Sequence, residues 1–178
     1  PEMLSPYGFY QFWLQVDDAD VVRFLKVFTF LERKEIERLE AATAENPKAR
    51  EAQRVLAHEV TTWVHGADAT AQAEAATSAL WGRGDLADID EATILAATSD
   101  LASSDVTVGG TTIVDLLVGT GLERGRNAAR KTIAGGGAYL NNVKVADETV
   151  VIGPEHLLAG GVVLVRKGRR NLAVGRTV

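Results

Sequence analysis

The spacing of apolar residues changes along this chain, and that change constrains the fold more than any single motif. Through the first hundred residues they recur three and four apart; near the end they alternate. The first pattern buries one face of a helix and the second one face of a strand. The chain is therefore predicted to be a mainly α N-terminal helical bundle followed by a small α+β domain, two short helices packed on a small β-sheet. The composition shift at "LASSDVTVGG" sets the expected boundaries: a helical domain over 1–100, a linker over 101–110 and an α+β domain over 111–178.

Local signals divide the first part. Ser5-Pro6 opens a helix over Tyr7–Val16, with Phe9, Phe12 and Trp13 expected inside. Asp17 or Asp18 caps the next, whose stripe is Val21, Phe24, Leu25 and Phe28. A third covers Glu32–Glu45 with Ile36 and Leu39 inward; its Glu and Arg/Lys residues interleave as pairs on a wet face. Asn46-Pro47 separates it from a helix that Gly66 stops, with Val55, Leu56, Val60 and Trp63 on one face. Asp68 caps an alanine-rich helix ending near Trp81-Gly82, and a short helix follows Asp90.

In the second part, Thr112–Val118 reads as a short helix after Thr111, broken by Gly121. Residues 124–134 form another, ended by Gly135-Gly136-Gly137. "AYLNNVKV" is a hairpin turning on Asn141-Asn142, residues that tolerate positive φ. A second hairpin pairs 162–167 with 171–175.

Several chemistries are excluded. The chain has 178 residues and no cysteine, so disulfides and thiolate metal sites are out. His58, His65 and His156 are far apart, with no zinc-binding spacing, and no metal site is expected. No apolar run is long enough to span a membrane, and no signal peptide is visible; a cytoplasmic location with no membrane partner is expected.

Charge is unevenly shared. Residues 1–105 hold 19 acidic and 9 basic residues; residues 106–178 hold 5 and 10, within an overall charge of -5. On a helix over 122–133, Leu122, Ala129 and Ile133 fall inward. Arg124, Arg126, Asn127, Arg130 and Lys131 fan outward, with Glu123 as the one acid among them. The hairpin turn returns Lys144 toward the helix end. Guanidinium forks and amides in this arrangement suit phosphate oxygens. A merely solvated helix face is the alternative. A second cluster, Arg166, Lys167, Arg169, Arg170 and Arg176, tips the reading toward a polyanion, because two like-signed clusters in one small unit repel unless an anion compensates. RNA is favoured over DNA, since no long recognition helix or basic zipper is present.

The stretch "LLVGTGLERGRNAARKTIAGGGAYLNNVKV" resembles the RNA-binding fold first named for a small-subunit ribosomal protein. Leu116-Leu117, Gly121-Leu122, Ala129-Arg130, Ile133, Gly136-Gly137 and Asn141-Asn142 fit its pattern. Gly125 departs from it, standing where a capping serine is usual. "SPYGFYQFWLQVDDADVVRFLKVFTFL" and "AQRVLAHEVTTWVHG" resemble the anticodon-binding helical domain of bacterial tyrosyl-tRNA synthetases, in that family's order. The resemblance spans essentially the whole chain.

That resemblance implies a binding role. The family's catalytic domain carries an H-I-G-H-type motif and a K-M-S-K-S-type loop, and neither is in this sequence. Residue 1 is expected just after the catalytic loop of a larger enzyme, so no catalytic residue is expected here. The parent would esterify tyrosine onto its tRNA using ATP with magnesium; the chain itself needs no cofactor. It would hold tyrosine tRNA by the anticodon region and long variable arm, as a monomer, while the parent dimerises through its catalytic domain. Arg124, Arg126, Asn127, Arg130, Lys131, Asn141, Asn142 and Lys144 would face the tRNA, with Arg166, Lys167, Arg169 and Arg170 on phosphates. Asn141 and Asn142 are equally explained as turn residues. Asp18 or Asp20 would read the first anticodon base, with helix capping the alternative; Arg23 and Lys26 would meet nearby phosphates or water. Some aromatics of the first helix would pack on the catalytic domain. Two rivals remain: a stand-alone rRNA-binding or RNA-modification-associated protein, and a protein-interaction bundle.

Overall fold

A computed structural model describes residues 4–82 and 84–178. Residue 1, expected beside a catalytic loop, lies outside them. The chain forms two compact units, Pro1–Glu74 and Ala75–Val178.

The first unit is helical. Helix α1 (Pro6–Leu14) starts where Ser5 Oγ accepts the Gly8 amide at 3.1 Å, with Pro6 in its first turn. Helices α2 (Asp18–Phe28) and α3 (Arg33–Glu45) bury Val21 and Leu25, and Ile36 and Leu39. A 3₁₀ turn over Pro47–Ala49 and a left-handed Arg50 lead into α4 (Glu51–His65), which Gly66 ends at φ +88°. Leu25, Leu39 and Leu56 are wholly buried, each contributing roughly 1.5–3 kcal/mol of transfer free energy. Helix α5 (Ala67–Ala79) begins in this unit, where Ala73 packs with Tyr10 and Ala57.

The expected stripes need correction at their aromatic ends. Phe12, Phe28 and Trp63 are exposed by 60%, 41% and 69%. Phe12 and Phe28 instead stand at 5.4 and 5.2 Å from the Trp13 ring, and Trp63 pairs edge-on with the exposed Phe30. Asp17 is the N-cap residue of α2, yet its side chain accepts no capping hydrogen bond.

In the second unit, α6 (Glu91–Thr98) follows Asp90, whose carboxylate caps the Thr93 amide at 2.7 Å. Residues 103–106, inside the segment expected to be a linker, form β1 (Ser103–Val106). Helix α7 (Ile113–Gly119) starts one residue later than the expected Thr112, which instead caps it through a reciprocal capping box with Asp115. Helix α8 (Arg126–Ala134) starts after Gly125, so Arg124 lies in the preceding turn. Strands β2 (Ala138–Leu140), β3 (Val143–Val145), β4 (Val162–Lys167) and β5 (Asn171–Thr177) complete a sheet ordered β1-β5-β4-β2-β3. β1 runs parallel to β5, and the remaining pairs are antiparallel.

One sheet face carries the core. Val106, Val163, Val165, Ala173, Ala138 and Leu140 pack with Ile113, Leu116 and Leu117 of α7 and Ala129 and Ile133 of α8. Gly175 makes this fit possible. A methyl there would lie 2.5 Å from Val106, 2.7 Å from Val163 and 2.9 Å from Leu116.

Candidate nucleic-acid interface

Helix α8 is amphipathic because its small and apolar residues, Ala129 and Ile133, are a turn apart. Burying them turns Arg126, Asn127, Arg130 and Lys131 to solvent, and all four are exposed, as is Arg124. Beyond Ala134, Gly136 takes φ +69° and lets the chain fold straight into β2. Asn141 and Asn142 follow at φ +46° and +67°, the turn that their sequence predicts.

This geometry brings cations to the C-terminal end of α8. The Lys144 side chain lies so close over Gly136 that a methyl there would meet its Cε and Nζ at 2.4 Å. The Gly168 amide donates to the Gly137 carbonyl at 2.7 Å, so the β4–β5 turn bearing Arg169 and Arg170 sits at the same end. Among the described residues, Arg124, Lys131, Lys144, Arg169 and Arg170 are in no ion pair.

Other cations are partnered within the unit. Arg126 pairs with Asp115, and Arg130 Nε stands 3.4 Å from Glu148. The Asp115 pKa is lowered, first by the hydrogen bond from the Thr112 hydroxyl and also by Arg126. Glu123 does not join the outward fan: it is only 7% exposed and accepts from Thr132 Oγ1 and, at 2.9 Å, from Lys167 Nζ. Those bonds lower its pKa, the Thr132 bond most, against the opposing pull of desolvation.

Arg166 does not share the α8 face. Neighbouring residues on a strand point to opposite sides of the sheet, so Lys167 reaches Glu123 while Arg166 faces away. The Arg166 guanidinium lies 4.7 Å from the centre of the Tyr139 ring, its partner across β2 and β4. Its Nε is buried without a hydrogen-bond partner. The side chains of the turn asparagines are likewise committed. Asn141 donates to the His156 carbonyl at 2.6 Å and accepts from the Leu164 amide at 2.8 Å; Asn142 donates to the Ala79 carbonyl at 2.6 Å. Their geometry matches the turn-residue alternative. Arg176, in β5, donates to the Thr98 carbonyl at 2.9 Å.

In the helical unit, Asp18 is exposed at the start of α2 and accepts from Gln53 Nε2 at 2.6 Å. Asp20 pairs with Arg23 at 3.1 Å, and Arg23 also lies over Phe24. Lys26 is exposed and lines a cavity with Arg33, Glu37 and Glu40. Gln53 was not anticipated. It is fully buried, and a polar residue at an inward position of "AQRVLAHEV" is the signal that marks it. Among the described residues, no three His, Asp or Glu side chains come together to hold a metal ion, and no helix is long and apolar enough to cross a membrane.

Comparison with known proteins gives these residues a family. Residues 93–174 match the model described as tyrosine–tRNA ligase SYY-like C-terminal domain, and residues 1–82 the model for class I tRNA synthetases (W and Y). The tyrosine–tRNA ligase of Streptomyces avermitilis is 52% identical over 173 residues, 97% of this chain and 41% of that protein. That of Nocardia farcinica is 52% identical over 178 residues, 97% of this chain and 42% of that protein. A solution structure of a tyrosyl-tRNA synthetase C-terminal domain aligns at 30% identity with a TM-score of 0.42, over 53% of this chain and 96% of that one. The chain thus spans about two fifths of the length of the curated relatives it matches. Matched over residues 1–82 and 93–174 by those two models, and over 97% of its length by relatives about 50% identical to it, the chain belongs to the tyrosine–tRNA ligase family.

Proposed function

We propose that this chain is the tRNA-recognition part of a cytoplasmic tyrosine–tRNA ligase. The observation that carries the reading is the set of unpaired cations around Gly135–Gly137: Lys131, Lys144, Arg169 and Arg170 surround one helix end with no acid in an ion pair among them. Such a surface gains affinity from phosphates by releasing counterions. Arg124, Asn127 and, after exchanging their carboxylate partners for phosphate, Arg126 and Arg130 extend it along α8. The folded shape of the RNA then supplies discrimination. In the helical unit, Asp18, oriented by Gln53, accepts from the edge of the first anticodon base.

Tyrosine activation belongs to the remainder of the longer protein, where ATP with magnesium supplies the adenylate chemistry. The described residues here fit neither group, lacking both a metal-holding cluster and a phosphate-cradling loop. Binding this end of the tRNA orients the acceptor end toward that distant site. The exposed rings of Phe12, Phe28, Phe30 and Trp63 pack against the catalytic part.

Titration with tyrosine tRNA, other tRNAs and an rRNA hairpin at two salt concentrations tests the reading. Selective binding of tyrosine tRNA that weakens with salt supports it. Equal binding of every RNA favours an rRNA-type binder, and no binding favours a protein-interaction bundle. Replacing Lys131 and Arg170 by glutamine is expected to flatten the slope of log affinity against log salt by about 1–2.

A further inference from the structure

The helical unit carries more acidic than basic residues, yet one of its cavities has only cations among its charged lining residues. A cavity of about 560 Å³ is lined by Leu14, Gln15, Lys48, Ala49, Arg50 and Arg54. Its charged lining residues are all positive. Glu51, the acid next to Arg50 in sequence, is not among the lining residues and pairs with Arg38 at 2.8 Å. Among the described residues, neither Lys48 nor Arg54 takes part in an ion pair, and both are exposed.

Arg50 has a different job. Its Nη2 donates to the carbonyls of Leu14 and Val16, at 2.7 and 3.1 Å, from a left-handed backbone at φ +50°. It closes the end of α1 and fixes the following turn. Gln53 Nε2 reaches the same Val16 carbonyl at 3.3 Å and the Asp18 carboxylate at 2.6 Å. Arg50, the residue before α4, and Gln53 of α4 therefore share the Val16 carbonyl and pin a single turn; Arg50 also lines the cavity, and Gln53 also holds the Asp18 carboxylate.

We infer that Lys48 and Arg54 form a seat for the RNA phosphodiester backbone beside the Asp18 turn, with Arg50 as its floor. Like charges gathered without an acidic partner favour a bound polyanion. A ribose-phosphate chain presenting a base edge to Asp18 brings the phosphates of the same and neighbouring nucleotides to the surface around that turn. A carboxylate alone would repel such a chain, and the adjoining cations offset that repulsion. The seat rests on the tRNA reading above but uses none of the residues around α8.

The test uses a short RNA hairpin carrying the tyrosine anticodon loop, and whole tyrosine tRNA, with the chain and three variants. Lys48→Gln with Arg54→Gln is expected to flatten the salt slope for the hairpin by about 1–2, with unchanged circular dichroism and melting temperature. The charge-keeping pair Lys48→Arg with Arg54→Lys is expected to retain the slope. An unchanged slope in the glutamine pair, alongside normal binding, overturns the seat and leaves the α8 surface standing. Whole-tRNA binding that falls in the glutamine pair but not after Lys131→Gln with Arg170→Gln supports the seat and rejects the α8 surface. Absence of RNA binding by the unaltered chain overturns both.

Discussion

Lys167 Nζ stands 2.9 Å from the carboxylate of Glu123, the one charged residue that is buried among the described residues. The contact joins the end of β4 to the turn before α8, with Thr132 of α8 as the carboxylate's second donor. The native pKa of Glu123 therefore lies below its unfolded value, near 4.3 for a free side chain. Its stabilisation is fully present above that unfolded value and disappears as pH falls through the native one. Glu123→Gln is expected to cost about 1–3 kcal/mol at neutral pH and to show a shallower loss of stability below about pH 4.3. Urea midpoints measured across that range check it; parallel curves for the two proteins would refute the coupling.

Asn141 serves the fold through both its backbone and its side chain. Its φ is +46°, and its amide joins the His156 carbonyl to the Leu164 amide. Glycine at 141 keeps the backbone free but loses both bonds; alanine loses the bonds and adds about 1 kcal/mol of left-handed strain. The expected order of melting temperature is Asn, then Gly, then Ala. A variant with alanine as stable as the glycine one contradicts the backbone part of the argument.

The elements that were legible in the sequence are those set by neighbours along the chain. The Ser5-Pro6 start, the Val21–Leu25 and Ile36–Leu39 stripes and the Asn141-Asn142 turn each follow from local spacing or φ tolerance. What was illegible depends on distant partners. "LASSDVTVGG" has loop composition, yet Ser103–Val106 gains strand geometry from pairing with β5, where Ser103 stands opposite Val174. Trp63 fits the α4 stripe by period, but the core of α4 is already filled by Leu56 and Val60, which leaves the indole outside. Glu123 counted as an outward acid because its two donors, Thr132 and Lys167, arrive from other elements.

Asp115 divides its carboxylate between two tasks. One oxygen completes the α7 capping box by accepting the Thr112 amide at 3.3 Å and also accepts the Thr112 hydroxyl at 2.6 Å, and the other holds Arg126. Asp115→Asn keeps an acceptor for the cap but removes the charge that engages Arg126. A stability loss of about 0.5–2 kcal/mol is expected from the weakened cap, together with tighter RNA binding at low salt. Calorimetry and filter binding on the folded protein separate the two effects. Affinity that falls after the substitution would mean that Arg126 needs Asp115 to hold it in a binding geometry.

Arg166 and Arg170 are four residues apart and carry the same charge, but they are expected to respond differently to removal. Arg170 is exposed in the β4–β5 turn, beside the cations at the end of α8. Arg166 lies over the Tyr139 ring, and a methyl at Gly82 would come within 3.3 and 3.4 Å of its terminal nitrogens. Asn142 holds the Ala79 carbonyl in the same region, so Arg166 and Asn142 together fasten the 79–82 turn to the sheet. Arg166→Gln forfeits the ring contact, worth about 0.5–2 kcal/mol, and the packing of its aliphatic stem. It should lower the melting temperature and leave the salt slope of RNA binding unchanged. Arg170→Gln should flatten the slope by about 1 with no change in melting. A flattened slope from Arg166→Gln, at unaltered stability, would return Arg166 to the phosphate-binding surface.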